Sequence, residues 1–136
     1  MNDKFFSRLA GIAALFAALG VIMGAFGAHA LKQRISPESI EVLKTGVWYL
    51  FIHSLACLLI AGLSRLPGNM RLLKLAGIAF LLGIILFSGS LFIISTKTVT
   101  GIEIGFFGIV TPIGGLCFII GWISLTIWGF RTWRSN

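Results

Sequence analysis

Residues 75–96 read LAGIAFLLGIILFSGSLFIIST, uncharged from end to end. A run of ~18 or more apolar residues is long enough to cross the hydrocarbon of a bilayer as a helix. Three other stretches share this character: residues 9–28, 47–63 and 104–130 contain no Asp, Glu, Lys or Arg. The run at 47–63 is the shortest, about one residue under that mark. Hydrocarbon offers no water to satisfy backbone N–H and C=O groups, so segments of this kind must be helices. The chain therefore reads as all-α, an integral membrane bundle of four transmembrane helices forming a single membrane domain over 1–136.

Composition agrees. Of the 136 residues, 57% are hydrophobic and 11% charged, with a mean hydropathy of +1.02. A soluble domain of this length needs more polar surface than that. Eleven Lys and Arg against four Asp and Glu give a net charge of +7. The basic residues flank the apolar runs, where lipid headgroups select them, and leave no basic face to follow a phosphate backbone. The partner implied is the lipid bilayer, and nucleic acid is excluded. Cys57 and Cys117 both lie inside apolar runs with no second ligand at metal-binding spacing. They read as small hydrophobes, so neither a metal nor another cofactor is expected. Ala28-His29-Ala30 imitates a signal-peptidase site. The run before it is about twenty residues, against ~7–15 for a signal h-region, and so reads as a retained first span.

The expected spans are 5–31, 45–64, 72–96 and 112–131. In the first, Gly20, Gly24 and Ala28 recur every four residues, a pattern that lets membrane helices approach closely. Ser36-Pro37-Glu38 reads as a helix start, with Ser as N-cap, Pro at N1 and an acid in the first turn. Glu41 and Lys44 make the beginning of that helix a wet, amphipathic section, and Leu66-Pro67-Gly68-Asn69 breaks the pattern as a turn. Leu-Ala-Gly-Ile-Ala occurs at 9–13 and again at 75–79, a weak hint of a duplicated hairpin. Thr111-Pro112 reads as N-cap and N1 of the fourth span, with a continuous helix kinked at Pro112 as the alternative. On the first reading, 97–111 is an apolar, Gly-rich outer connection.

Four spans place both termini and the Pro67 turn on one side. That side carries Lys4, Arg8, Arg65, Arg71, Lys74, Arg131 and Arg134, against Lys32, Arg34, Lys44 and Lys97 on the other. The excess of Lys and Arg puts the N-terminus, the second loop and the C-terminus inside the cell.

A few polar residues sit within or beside the apolar runs. Tyr49 and His53 lie one turn apart on the same helix face, and an ionisable residue inside a membrane is a candidate for function. The simpler reading is a neutral imidazole that holds the bundle in register. His29 lies near the interface, about 12 Å from the depth of His53 at 1.5 Å per residue, too far for two axial ligands of one haem. Ser88 and Ser90 sit mid-span, where hydroxyls bond back to the helix or across to another. Thr111-Pro112-Ile113-Gly114-Gly115, as a helix start, offers free backbone N–H groups to an anion. The candidate polar cluster, structural or ligand-binding, is thus His29, Tyr49, His53, Ser88, Ser90 and Thr111. No nucleophile, base and acid come together in the sequence, so no catalytic residues and no enzyme are expected.

Gly24-Ala-Phe-Gly-Ala-His-Ala-Leu31, Tyr49-x-x-x-His53, Phe87-Ser-Gly-Ser-Leu91, Thr111-Pro-Ile-Gly-Gly115 and Gly121-Trp122 occur in that order. Together they resemble the YgdD/YwdK-like family of small bacterial inner-membrane proteins of unknown function, domain-of-unknown-function family four-two-three, which has eukaryotic transmembrane relatives. The resemblance covers nearly the whole chain. It implies a four-span, multi-pass protein of the bacterial inner (plasma) membrane and brings no known activity, substrate or site residue.

The leading expectation is a structural or accessory membrane protein. It would self-associate as a homo-oligomer or join a larger membrane complex through Gly and Ala faces of spans one and three. The alternatives are an oligomeric transporter or channel subunit with a polar path near His53, and a haem- or quinone-binding redox subunit. Alkaline washing should leave the protein in the membrane pellet, and alkaline phosphatase fused after Asn136 should be inactive while a green fluorescent reporter there is bright. The reverse reporter pattern would invert the topology.

Overall fold

The computed structural model describes residues 4–102 and 105–134, with the side chain of Ala28 outside the described part. Four long apolar helices make up the fold: α1 (Lys4–Leu31), α2 (Pro37–Leu63), α3 (Met70–Thr100) and α4 (Phe107–Arg134). Among the described residues every regular element is helical.

Caps and breaks follow local chemistry. The Ser36 hydroxyl accepts the Ser39 N–H at 3.2 Å to start α2, with Pro37 at the first position. Asn69 Oδ1 accepts the Arg71 N–H at 3.0 Å to start α3. Gly101 closes α3 at φ 70°, a left-handed geometry that costs glycine least. Two short π-helical turns interrupt the α pattern, at Gly27–Leu31 near the end of α1 and at Ile84–Ser88 in the middle of α3.

The fourth helix corrects the sequence reading. It starts at Phe107, and Pro112 lies inside it. Val110 N–H bonds to the Phe106 carbonyl, and the Thr111 hydroxyl bonds back to the Phe107 carbonyl at 3.0 Å. Thr111 is therefore not an N-cap. A proline six residues into a helix loses one bond, to the carbonyl four residues before it, which here belongs to Gly108. The expected anion site at 111–115 is also lost, because Gly114 packs against Phe87 and Gly115 sits well inside the helix. The expected connection 97–111 shortens from both ends, since α3 continues through Thr100. Residues 103 and 104 lie outside the described part.

Packing runs from α1 to α2, α2 to α3 and α3 to α4, with α1 also touching α3 where Leu9 covers Gly77. Small and hydroxyl residues share the interior with Leu9, Leu43, Ile60, Leu73, Phe80 and Ile84, and many large apolar side chains face outward. Ala13, Ala76, Ser54, Ser88 and Ser95 are wholly buried, while Leu15 is 60% and Ile109 65% exposed. Without water, helices gain little by hiding leucine from lipid, and small interior residues instead allow close backbone approach.

The α3–α4 seam shows this best. A Cβ on Gly83 would strike the Phe118 ring, and one on Gly121 would strike the Phe80 ring. Each helix thus places a phenylalanine into a glycine notch of the other, three residues from its own notch. The same antiparallel register continues outward to Phe87 against Gly114 and Ser90 against Thr111. On α1, Gly20 and Gly24 face Leu50 and Val47 of α2. These glycines serve a contact within the chain, and the packing role expected for Ala28 falls on an undescribed side chain.

Gly114→Ala should cost roughly 1–3 kcal/mol by overpacking, because its Cβ would meet the Phe87 backbone, which cannot swing aside. Gly11→Ala meets nothing within 4 Å and should be neutral or gain up to about 1 kcal/mol from helix propensity. Reversible unfolding in detergent measures both.

Candidate functional site

Tyr49 and His53, four residues apart on α2, face the α3–α4 seam. The His53 ring is buried, 4% exposed, and stacks on Phe118 with centroids 3.6 Å apart and planes 12° from parallel. Phe80 lies 5.3 Å from it and Trp122 6.0 Å. Tyr49 lies over Phe87 at 4.4 Å. The phenylalanines that lock α3 to α4 therefore also make the surface on which the imidazole rests.

Both imidazole nitrogens have partners. Trp122 Nε1–H points at Nε2 at 3.2 Å, and Nδ1 lies 2.7 Å from the Tyr49 carbonyl oxygen. An indole N–H can only donate, so Nε2 accepts. Nδ1 then carries the proton and donates to the Tyr49 carbonyl. This arrangement defines one neutral tautomer, since a proton on Nε2 would set two N–H groups against each other. His53 is thereby a coupler between α2 and α4. Its Nε2 lone pair reaches a metal or haem iron only if Trp122 lets go.

The other candidates separate into small local arrangements. Ser90 Oγ and Thr111 Oγ1 are 2.6 Å apart and bridge α3 to α4. Each also lies within reach of a carbonyl of its own helix, Phe87 at 2.8 Å and Phe107 at 3.0 Å. Two hydroxyl hydrogens serve three contacts, so with Thr111 donating to Phe107 it is Ser90 that donates to Thr111. Ser88 is wholly buried in the π turn, and its hydroxyl has no partner among the described residues. His29 is exposed in the π turn ending α1, outside this cluster. The six polar candidates thus form one aromatic-histidine group and one hydroxyl bridge, with Ser88 and His29 standing apart.

Beside His53 a groove of about 620 Å³ runs between α2 and α4, lined by Tyr49, Phe87, Leu116, Phe118 and Trp122 among others. Its lining is mostly aromatic and aliphatic, and the two His53 nitrogens beside it already hold partners. The sequence reading missed Phe80, Phe118 and Trp122 as site residues. The available signal was Phe-x-x-Gly occurring in both helices, at 80–83 and 118–121.

Fold and site define a small polytopic membrane protein whose interior polar groups bind mainly one another and the backbone. The model of a family described as protein of unknown function (DUF423) matches residues 23–115, and the chain belongs to that family. It is 38% identical to the UPF0382 membrane protein YwdK of Bacillus subtilis over 116 residues, 85% of this chain and 90% of that one. It is 36% identical to a UPF0382 membrane protein of Haemophilus influenzae over 132 residues, 97% and 98% of the two chains. The UPF0382 inner membrane protein YgdD of Escherichia coli is 29% identical over 140 residues, covering 100% of this chain and 97% of that one. No solved structure matches.

Trp122→Phe removes one hydrogen bond and should cost about 0.5–1.5 kcal/mol, the range for a bond between membrane helices. His53→Phe keeps a ring on Phe118 and should cost a similar amount. The double variant should fall short of the sum by about the energy of the shared bond. Strict additivity would show that the Trp122–His53 bond contributes nothing.

Proposed function

We propose that this protein is a non-catalytic accessory bundle of the bacterial plasma membrane, with both termini in the cytoplasm, that joins itself or a larger membrane complex. The observation that carries this reading is the double engagement of His53. A proton-handling or metal-binding histidine needs a nitrogen free to exchange, and here both are held by protein groups. The buried hydroxyls point the same way. Ser54 and Ser124 bond back to carbonyls of their own helices at 2.6 and 2.8 Å, and Ser90 pairs with Thr111. Groups arranged so locally do not line a continuous polar path, which a channel or transporter subunit requires.

The surface for association differs from the one the sequence suggested. Gly20 and Gly24 of α1 face α2, and Gly77 and Gly83 of α3 face Leu9 and Phe118. The small residues that α1 leaves outward are Gly11, Ala14 and Ala18, all exposed and on one helix face. Small residues on a lipid-facing stripe permit a second helix to approach closely. The inner-membrane location rests on relatives named membrane proteins, one of them an inner membrane protein. The orientation rests on the seven-to-four distribution of Lys and Arg.

Gentle purification with chemical crosslinking should recover a homo-oligomer or a co-purifying membrane protein. Gly11→Leu with Ala18→Leu should reduce that association at least five-fold while the bundle stays folded. A wild-type protein that is monomeric and alone would overturn the proposal, as would proton or ion flux in proteoliposomes that His53→Phe abolishes.

A further inference from the structure

A second groove, separate from the His53 cluster, lies between α1 and α2 at the end of the bundle opposite the termini. It holds about 360 Å³ and is almost wholly apolar. Gly24 and Gly27 form one wall, and Val47, Trp48 and Phe51 contribute to the other. The missing side chain of Gly24 opens the space, whereas Leu43 fills the gap at Gly27, and Trp48, 63% exposed, stands beside it. At the rim is one charge, Lys44, whose Nζ bonds Glu41 Oε1 at 2.7 Å.

The position of that ion pair says what covers the groove. Lys44 and Glu41 are the last charged residues of α2 before its uncharged stretch, so they stand at headgroup level while the groove below them opens into the acyl region. Both side chains are mostly exposed, 63% and 71%, and an exposed pair is worth little to the fold by itself. Its two charges remain able to bind a second dipole. A phosphate complements Lys44 and a primary ammonium complements Glu41, and an ammonium still carries the hydrogens that a charge-assisted bond to a carboxylate needs. A choline headgroup has no such hydrogen, and a glycerol headgroup brings no cation to Glu41.

We infer that the groove between α1 and α2 binds one phospholipid with a primary-amine headgroup, an acyl chain lying along Gly24, Gly27, Val47 and Phe51. Phosphate rests on Lys44, and the ammonium on Glu41. The site does not depend on the accessory role proposed above, because it shares no residue with the His53 cluster or with the outward face of Gly11, Ala14 and Ala18.

The test is native mass spectrometry of purified protein titrated with phosphatidylethanolamine, phosphatidylcholine and phosphatidylglycerol of identical acyl chains. Wild type should retain one phosphatidylethanolamine at least three-fold more than either competitor. Gly24→Leu fills the groove, and a Cβ there meets only Val47, at 3.6 Å. It should lower retention of all three lipids at least five-fold. Glu41→Gln lies on the exposed rim and threatens no packing. It should erase the preference for ethanolamine over choline, and Lys44→Gln should weaken all three. Equal retention of the three lipids, a preference for phosphatidylglycerol, or a preference untouched by Glu41→Gln would overturn the inference, and so would undiminished binding by a folded Gly24→Leu protein.

Discussion

The fold depends on two aromatic rings seated in two glycine notches. Phe118 enters the gap at Gly83, and Phe80 enters the gap at Gly121. In water such a seam would be one contribution among many, because burying any apolar side chain is favourable. In hydrocarbon a leucine gains little by turning inward, and shape complementarity has to supply the association. The interlock also sets depth and rotation. With Phe80 and Phe118 placed, Phe87 meets Gly114 one turn outward and Ser90 reaches Thr111 beyond it. The His53 imidazole then finds a flat surface at 3.6 Å. The site is thus a product of the seam.

The interior polar groups follow from the same solvent. A hydroxyl or imidazole in hydrocarbon without a partner costs several kcal/mol, roughly 4–8 where nothing else can bond it. Most of these groups meet the requirement locally, by reaching the carbonyl three or four residues earlier on their own helix. Ser54, Ser95, Thr96 and Ser124 all do so. Among the described residues, Trp122 with His53 and Ser90 with Thr111 are side-chain pairs that bond across helices. They lie near the two ends of the α3–α4 interlock and tie it to α2 and to itself. Ser88 and Trp128 are exceptions, a hydroxyl in the π turn and an indole N–H, both buried without a partner among the described residues.

The four helices were legible because length and absence of charge are decisive for a membrane span. Ser36 was legible as a helix start because capping chemistry is local, whereas residues 66–69 were legible only as a turn, without the Asn69 cap. Thr111-Pro112 misled for a related reason. The pair has the residues of a helix start, but Thr111 bonds backward to Phe107 and the Val110 N–H already bonds the Phe106 carbonyl, so the helix is under way before the proline. The helix therefore runs through. The tertiary partners were not legible. Gly20 and Gly24 announce a close contact without saying with which helix, and the contact proves to be within the chain. Tyr49 and His53 were visible as a pair, whereas Phe118 and Trp122, distant in sequence, become their neighbours only through the α3–α4 register. Aromatic residues are common in apolar runs, and nothing in their spacing alone separates a stacking partner from a lipid-facing ring.

The helix lengths carry a consequence for how the molecule sits in its surroundings. At 1.5 Å per residue, the 28 residues of α4 extend about 42 Å, while the hydrocarbon slab measures ~30 Å. Such an excess is accommodated by inclination of the bundle and by local thickening of the lipid, each at a small cost per ångström. The surplus turns lie mainly where polar or interfacial residues occur, at Glu38 and Glu41 on α2 and at Arg131 and Trp133 on α4. The bundle is thereby matched to a range of slab thicknesses, with its tilt as the adjustable quantity.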